Sequence, residues 1–264
     1  MAKLRCFGNN PGKVQDLVAA FGNKGRESPI RSTDDSLVLE NIACVDADGY
    51  VFEQYDTVYV PKDIFRGADG QQMNFTSHAA VLHCEANGLF LPSFALSCNI
   101  VAALYTGRSN PDIERVLQQY KNNGNGLGWH AQNTVIDYGA ERVIHYPAHA
   151  DFGAKNLVNG SLSRTALGFS KSSLEDSLLE AALQDADHTR FVRQLTGLRD
   201  PSVLVEVGKY FGRPAKLWFP LSGKAGANYS DKRAAWLGCN DNGFYFYSDN
   251  FLYNFNAARG VRRR

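Results

Sequence analysis

Three tight-turn signals, each lying between two strand-like segments, constrain the fold of this chain more than any other feature of the sequence. The flanking segments are rich in β-branched and aromatic residues, which favour extended structure. A short turn between two such segments is typical of an antiparallel hairpin, because the chain returns directly beside itself. The signals are Asp48-Gly49, Gly139 and Asn242-Gly243, and the segments span 37–45, 50–60, 131–137, 142–146, 234–239 and 244–247.

Helix starts are interspersed among these hairpins. An Asn or Asp side chain can cap the free amide groups of a first helical turn, and proline suits the first helical position. Apolar residues at helical spacing follow each such pair, which predicts an amphipathic helix. Two further helices are predicted, one that starts at Ser172 and one over 191–195. The three Asx-Pro starts are Asn10-Pro11, Asn110-Pro111 and Asp200-Pro201.

The order of these elements predicts an α+β protein with a largely antiparallel sheet, several hairpins and five or more amphipathic helices. No βαβ repeat and no glycine-rich phosphate loop after a strand is found in the sequence. The Gly-, Ser- and Asn-rich residues 156–173 are the best candidate for a boundary. They divide the chain into a mixed α+β region, 1–158, that carries the candidate site, and a helical segment with a C-terminal hairpin, 159–264. The alternative is one continuous domain.

Composition predicts a soluble globular protein. Of the 264 residues, 44 % are hydrophobic and 21 % are charged, and the net charge is +1. This balance argues against nucleic acid or a membrane surface as the partner, and no apolar run reaches the roughly 20 residues that span a bilayer. Five cysteines without a CxxC pair, and no apolar leader, favour a reducing, cytoplasmic compartment. The sequence indicates no cofactor and leaves the partner unknown.

The segment 91–105 contains the candidate nucleophile. If Ser97 caps a helix, Cys98 lies in its first turn, where the helix dipole favours the thiolate over the thiol. The alternative is that Ser93 is the cap. Cys98 would then lie further inside the helix as a small buried hydrophobic residue.

A cysteine nucleophile needs a base and a group that orients the base. His130, at the start of the strand-like segment that follows, is the candidate base. The groups available to orient its imidazole are Asn133, His145 and Asp137.

This layout is similar to that of papain-like and NlpC-type cysteine peptidases, in which a helix-start cysteine precedes a histidine strand. Residues 133–145 resemble the NlpC-type hairpin, although Asn133 stands where that family has its catalytic histidine, so His130 would take the role from upstream. The resemblance covers the region from the helix to the hairpin only. It implies a cysteine-dependent hydrolase or acyltransferase that acts on a peptide or amide substrate.

A glycine-rich segment before the same strand predicts a ligand-binding surface. Glycines alternate over 124–128 and allow close approach of the backbone to a ligand. Strand alternation places His130 and Gln132 on one face and Trp129 and Asn133 on the other. The predicted ligand-binding residues are Trp129, Gln132 and Asp137.

Two other functions stay open. His145, His149 and Asp151 offer imidazole and carboxylate ligands that suit zinc, iron or manganese, which would indicate a metal-dependent hydrolase. The other is a non-enzymatic binding or assembly protein, such as a viral, mobile-element or scaffold component. Its support is the abundance of Asn, Gly and Tyr, which suit interfaces.

The C-terminal region has two features with competing interpretations. Residues 259–264 contain four arginines, which would bind phosphate groups or an acidic partner, but such a tail is more often simply solvated. Several aromatic residues alternate along neighbouring segments, and they favour a core role over a sugar-binding platform. They are Trp218, Trp236, Tyr245 and Tyr247.

Overall fold

The computed structural model describes residues 30–122, 129–138, 140–146, 165–168, 174–219, 232–248 and 256–263. These residues form six helices and thirteen strands, and the strands make two mostly antiparallel sheets. The α+β class and the hairpin-rich sheet predicted from the sequence are confirmed. None of the described helices is long and apolar enough to cross a bilayer.

The elements are numbered in chain order. The helices are α1 (Ser77–Ala86), α2 (Phe94–Thr106), α3 (Pro111–Lys121), α4 (Leu179–Ala182), α5 (Ala186–Thr196) and α6 (Ser202–Tyr210). The strands are β1 (Arg31–Ser32), β2 (Ser36–Val45), β3 (Val51–Pro61), β4 (Asn74–Phe75), β5 (His130–Asp137), β6 (Arg142–His145), β7 (Thr165–Gly168), β8 (Leu174–Leu178), β9 (Ala215–Phe219), β10 (Lys232–Asn240), β11 (Gly243–Tyr247), β12 (Asn256–Ala257) and β13 (Arg262–Arg263).

The smaller sheet has the strand order β1-β2-β3-β13. Its centre is the predicted hairpin of β2 and β3, and Gly49 in the turn adopts φ 87°, a conformation that glycine adopts without strain. The last strand, β13, pairs with β3, with Arg262 opposite Tyr59. The beginning and the end of the described chain therefore lie in one sheet.

The larger sheet has the order β4-β12-β5-β10-β11-β9-β8, and β6 and β7 extend it from β5. The other two predicted hairpins, β5–β6 and β10–β11, are confirmed. Among the described pairs of this sheet, only β11–β9 and β12–β5 run parallel. Strands from before and after residue 158 pair here, since β5 lies beside β10. The division at 158/159 stays a prediction.

The main hydrophobic core lies around α2, which lies between the two sheets and contacts β2, β5 and β10 as well as α3, α5 and α6. A second, smaller core covers the opposite face of the larger sheet, where Val81 of α1 belongs to the same cluster as Trp236 of β10. The central strands of the larger sheet are therefore packed on both faces.

Local start signals predicted the helices with mixed success. Asn110 caps α3 and Pro111 opens it, as expected. The structure begins α6 one residue after Pro201, while Asp200 accepts a hydrogen bond from the Ser202 amide at 3.0 Å. The helix over 191–195 is confirmed as α5. The start at Asn10-Pro11 falls outside the described residues.

The helix predicted from Ser172 is wrong over Leu174–Leu178, which form strand β8. Its leucines have helical spacing, but the free edge of β9 offers backbone hydrogen bonds, and Leu174 pairs there with Phe219. Asp176 adopts φ 49° where the register shifts. Only the single turn of α4 follows, because pairing with the sheet edge outweighs local propensity.

Candidate functional site

The start of α2 decides where Cys98 lies. Ser93, with extended backbone, is the N-cap, and its Oγ accepts a hydrogen bond from the amide of Leu96 at 3.0 Å. The prediction that Ser97 caps the helix is wrong, because the Ser97 hydroxyl instead donates to Oε1 of Gln132. Cys98 therefore lies in the second turn, as the Ser93 alternative predicted.

The surroundings of Cys98 are those of a core residue. None of its surface is exposed, and burial raises the pKa of its thiol well above the ordinary value. Burial acts in the same direction on Cys84 and Cys239 and raises the pKa of each to about 12. A protonated thiol without exposed surface is not the activated nucleophile that the first hypothesis requires.

His130 opens β5 and faces α3. Its Nε2 lies 3.1 Å from the carbonyl oxygen of Gln119, and its ring centroid lies 4.6 Å from that of Tyr120. Burial, assisted by the Arg259 guanidinium, lowers the pKa of the imidazole to about 3. No hydrogen bond in the described part of the chain joins it to Cys98. A base this weak is poorly suited to take a proton from a buried thiol.

His145 lies in β6 with both ring nitrogens engaged. Nδ1 lies 2.9 Å from Thr134 Oγ1, and Nε2 lies 2.9 Å from the carbonyl oxygen of Gln194. The ring stacks on Phe52 at a centroid distance of 5.1 Å. Burial lowers its pKa to about 4. Thr134 Oγ1 also accepts a hydrogen bond from the Phe94 amide at 2.9 Å, so this histidine supports the start of α2.

The arrangement of His145 leaves neither nitrogen free to ligate a metal. The other members of the predicted metal group, His149 and Asp151, lie outside the described residues. Within the described ranges, no group of three His, Cys, Asp or Glu side chains is placed to hold a metal ion.

Two other predicted residues, Gln132 and Asn133, are buried in the protein interior, and a third, Asp137, lies at the hairpin turn. Gln132 is 2 % exposed, and its amide nitrogen also donates to the carbonyl oxygen of His130 at 3.2 Å. Asn133 is equally buried; its backbone amide donates to the Pro92 carbonyl at 2.8 Å, while its Oδ1 accepts no hydrogen bond from any described residue. Asp137 accepts from the Ala140 amide at 2.9 Å and so stabilises the hairpin turn.

Glu53 is a buried carboxyl group that the sequence analysis did not single out. It lies on β3 beside the start of α2, where Ser93 Oγ donates to Oε2 at 2.5 Å and the Tyr55 hydroxyl donates to Oε1 at 2.7 Å. Burial raises the pKa of Glu53 to about 7, although both hydrogen bonds act to lower it. The signal was a glutamate at an inward-facing position of an alternating strand.

Trp129 has a different environment, because it faces the opposite side of the larger sheet. Strand register places Trp236 between Ala131 and Tyr247, and Gly238 opposite Tyr245. Since Leu237 pairs with His130, Trp129 lies in line with Gly238, which has no side chain to fill that face. The indole of Trp129 therefore reaches across β10 to the tyrosines of β11.

The aromatic face consists of Trp129, Trp218, Tyr245 and Tyr247. Trp129 stacks with Tyr245 at a centroid distance of 6.0 Å and an interplanar angle of 28°, and Trp218 stacks with Tyr247 at 6.2 Å and 23°. Trp129 meets Tyr247 edge-on at 5.4 Å. Tyr245 is buried, whereas both tryptophans and Tyr247 are half-buried. The expected core role is met by Tyr245 and by Trp236, which lies opposite Tyr247 on the same face with none of its surface exposed.

A charged pair borders the aromatic face. Lys216 Nζ lies 2.9 Å from Asp176 Oδ1 and 5.8 Å from the centroid of the Tyr245 ring. The Tyr245 hydroxyl also donates to Asp176, at 3.4 Å. The rim therefore offers one cationic donor and one anionic acceptor beside flat, partly exposed rings.

Comparison with known proteins finds no family model, no curated protein and no solved structure that matches this chain. The similarity to papain-like and NlpC-type peptidases is untested by these comparisons and stays an expectation from the sequence.

Proposed function

We propose that this protein is a non-enzymatic binding protein and that it holds a carbohydrate on the aromatic face. The observation that carries the proposal is the pair of aromatic stacks on one face of the larger sheet, Trp129 with Tyr245 and Trp218 with Tyr247, in which all rings except that of Tyr245 are partly exposed.

The chemistry of the face suits a neutral, hydroxyl-rich ring. The face of an aromatic ring carries partial negative charge, so it attracts the C–H groups on the apolar side of a sugar ring. Lys216 donates hydrogen bonds and Asp176 accepts them, which matches hydroxyl groups that do both. Because these two charges balance each other, neither a phosphate group nor a cation is favoured.

The buried candidates support binding over thiol hydrolysis. The pKa of the Cys98 thiol is raised and that of the His130 imidazole is lowered, both through burial. Each shift opposes transfer of a proton from the thiol to the imidazole. A cysteine-dependent hydrolase built on this pair would need the opposite pair of shifts.

The experiment is a glycan-array screen followed by titration of the best glycan, monitored by tryptophan fluorescence. Trp218→Ala and Trp129→Ala are each expected to weaken binding by roughly tenfold or more, as aromatic anchors do when they are truncated. Tyr50→Ala is the matched control, because Tyr50 is a 73 % exposed aromatic residue on the hairpin of the smaller sheet. It should leave the affinity unchanged.

Two outcomes would contradict the proposal. If no glycan binds, the ligand class is wrong. If a glycan binds and both tryptophan variants keep the affinity of the wild-type protein, the aromatic face is not the site. Circular dichroism of each variant shows whether the fold is retained.

A further inference from the structure

A cavity of about 380 Å³ lies between helices α4, α5 and α6, and none of its lining residues belongs to the aromatic face. Its volume falls in the range of small-molecule sites. Leu183, Pro201 and Val205 supply apolar surface. Such a cavity can hold a short aliphatic body while the polar residues around it fix the orientation.

The cavity also presents both signs of charge. Arg193 projects from α5, and in the described structure no acceptor pairs with its buried Nε. Glu180 of α4, Glu206 of α6 and Asp200, which precedes α6, supply carboxylates. A guanidinium with an unpaired N–H beside several carboxylates is suited to a ligand that carries both an anionic and a cationic group.

The carboxylates are not equivalent. Lys209 lies 2.9 Å from Glu206 and 3.6 Å from Glu180, which offsets part of their charge. Asp200 accepts from the amide and the hydroxyl of Ser202 through Oδ1 alone. Its other oxygen has no partner among the described hydrogen bonds, so Asp200 is the carboxylate best placed to receive a ligand's ammonium group.

We infer that this cavity binds a small zwitterion, namely an aliphatic α-amino acid. Its carboxylate would pair with Arg193, its ammonium group with Asp200, and its side chain would pack on Leu183 and Val205. A dianionic phosphate would meet three carboxylates, and a simple amine would leave the guanidinium unpaired. This site is separate from the proposed carbohydrate site, and neither depends on the other.

The test is calorimetric titration of the full chain with L-leucine and two analogues. L-leucinamide lacks the carboxylate, and N-acetyl-L-leucine lacks the ammonium group. L-leucine is expected to bind saturably, and each analogue is expected to bind roughly tenfold more weakly, because each loses one charged hydrogen bond. Equal binding of an analogue, or no saturable binding of L-leucine or of any other amino acid, would overturn the inference.

Variants locate the binding. Arg193→Met keeps an unbranched side chain and removes the guanidinium, and it should weaken L-leucine binding roughly tenfold. Arg142→Met, at the exposed start of β6, is the matched control and should have no effect. Trp218→Ala should also leave L-leucine binding unchanged, which separates this site from the aromatic face. Wild-type affinity in Arg193→Met would place the ligand elsewhere and contradict the inference.

Discussion

Cys98 lies among apolar side chains in the second turn of α2, and burial raises the pKa of its thiol. We therefore expect iodoacetamide to leave Cys98 unlabelled in the native protein and to label it once urea has unfolded the chain, because only an exposed thiolate reacts. Peptide mapping by mass spectrometry measures this. Rapid labelling of Cys98 in the native state would restore the nucleophile hypothesis.

Glu53 predicts a dependence of stability on pH. Its pKa is about 7 in the folded protein against an ordinary value of 4.5. The folded state holds this proton more tightly than the unfolded state. Its contribution to the free energy of unfolding is therefore full below pH 4.5 and is lost as the pH rises through 7, by on the order of 3 kcal/mol.

Urea denaturation at a series of pH values measures this contribution in the wild-type protein and in Glu53→Gln. The stability of the wild type relative to the variant should fall between pH 4.5 and pH 8. A difference that stays constant over this range would show that Glu53 titrates normally.

His130 and His145 contribute with the opposite sign. Their pKa values are lowered from 6.5 to about 3 and about 4, so their stabilisation is present above pH 6.5 and is lost as the pH falls through those values. As the pH falls below 6.5, the two histidines lower the free energy of unfolding, while Glu53 raises it. Among these three groups, stability should therefore be greatest near neutral pH.

Gly197 lies where three elements, α5, α2 and β2, meet. It ends α5 at φ 63°, and a Cβ added there would lie 2.8 Å from Ala95 Cβ of α2 and 2.9 Å from Cys44 Cβ of β2. Asn99 secures the same junction, since its amide nitrogen donates to the carbonyl oxygen of Ala95 at 2.9 Å and of Thr196 at 3.3 Å.

Gly197→Ala is therefore expected to lower the free energy of unfolding by roughly 2–4 kcal/mol, from the left-handed backbone and the close contacts together. Gly212→Ala is the matched control. Gly212 has φ 67° but no atom within 4 Å of an added Cβ, so it should lose only about 1 kcal/mol. Urea denaturation measures both, and equal losses would show that the contacts relax.

The elements that could be predicted from the sequence are those whose signal lies within a few neighbouring residues. Asp48-Gly49 and Asn110-Pro111 act through their own backbone, so the hairpin and the helix they indicate were found. Residues 174–178 form a strand because of the edge of β9, which lies far away in the sequence. No local pattern contains that information.

For the candidate site, too, the features that depend on local backbone geometry were predicted and those that depend on tertiary contacts were not. Alternation along β5 correctly separated His130 and Gln132 from Trp129, because it depends only on the backbone period. The face of β5 that α2 and α3 cover depends on tertiary packing, which the local sequence does not contain. The same is true of the hydrogen bond from Ser97 to Gln132, which engages the Ser97 hydroxyl and leaves Ser93 as the cap. The predicted catalytic residues are therefore buried, while Trp129 is half-buried. The buried residues are Cys98, His130, Asn133 and His145.

For the whole molecule, the arginine-rich end is part of the fold over its described residues. Arg259 is 3 % exposed, donates to the carbonyl oxygen of Pro61 and to Gln119 Oε1, and lies over the Tyr120 ring. Arg262 lies in exposed strand β13. The expectation of a solvated tail is wrong for Arg259, which links the end of β3 to α3, whereas Arg262 and Arg263 are exposed.

Arg259→Met should lower the free energy of unfolding by roughly 2–4 kcal/mol, since it leaves the Pro61 carbonyl and the Gln119 side chain without their buried donor. Arg262→Met, at an exposed position, should change it by less than about 1 kcal/mol. Thermal unfolding of both variants measures the difference. Equal stability of the two variants would show that Arg259 is dispensable.

The pairing of β13 with β3 also has a consequence for synthesis. Strand β3 is translated some two hundred residues before its partner β13, as the pairing of Tyr59 with Arg262 shows. Until then a nascent chain presents the unpaired edge of β3 to its neighbours on the same polysome, and such edges template contacts between copies. Translation speed and chaperone access should therefore influence the yield of native protein.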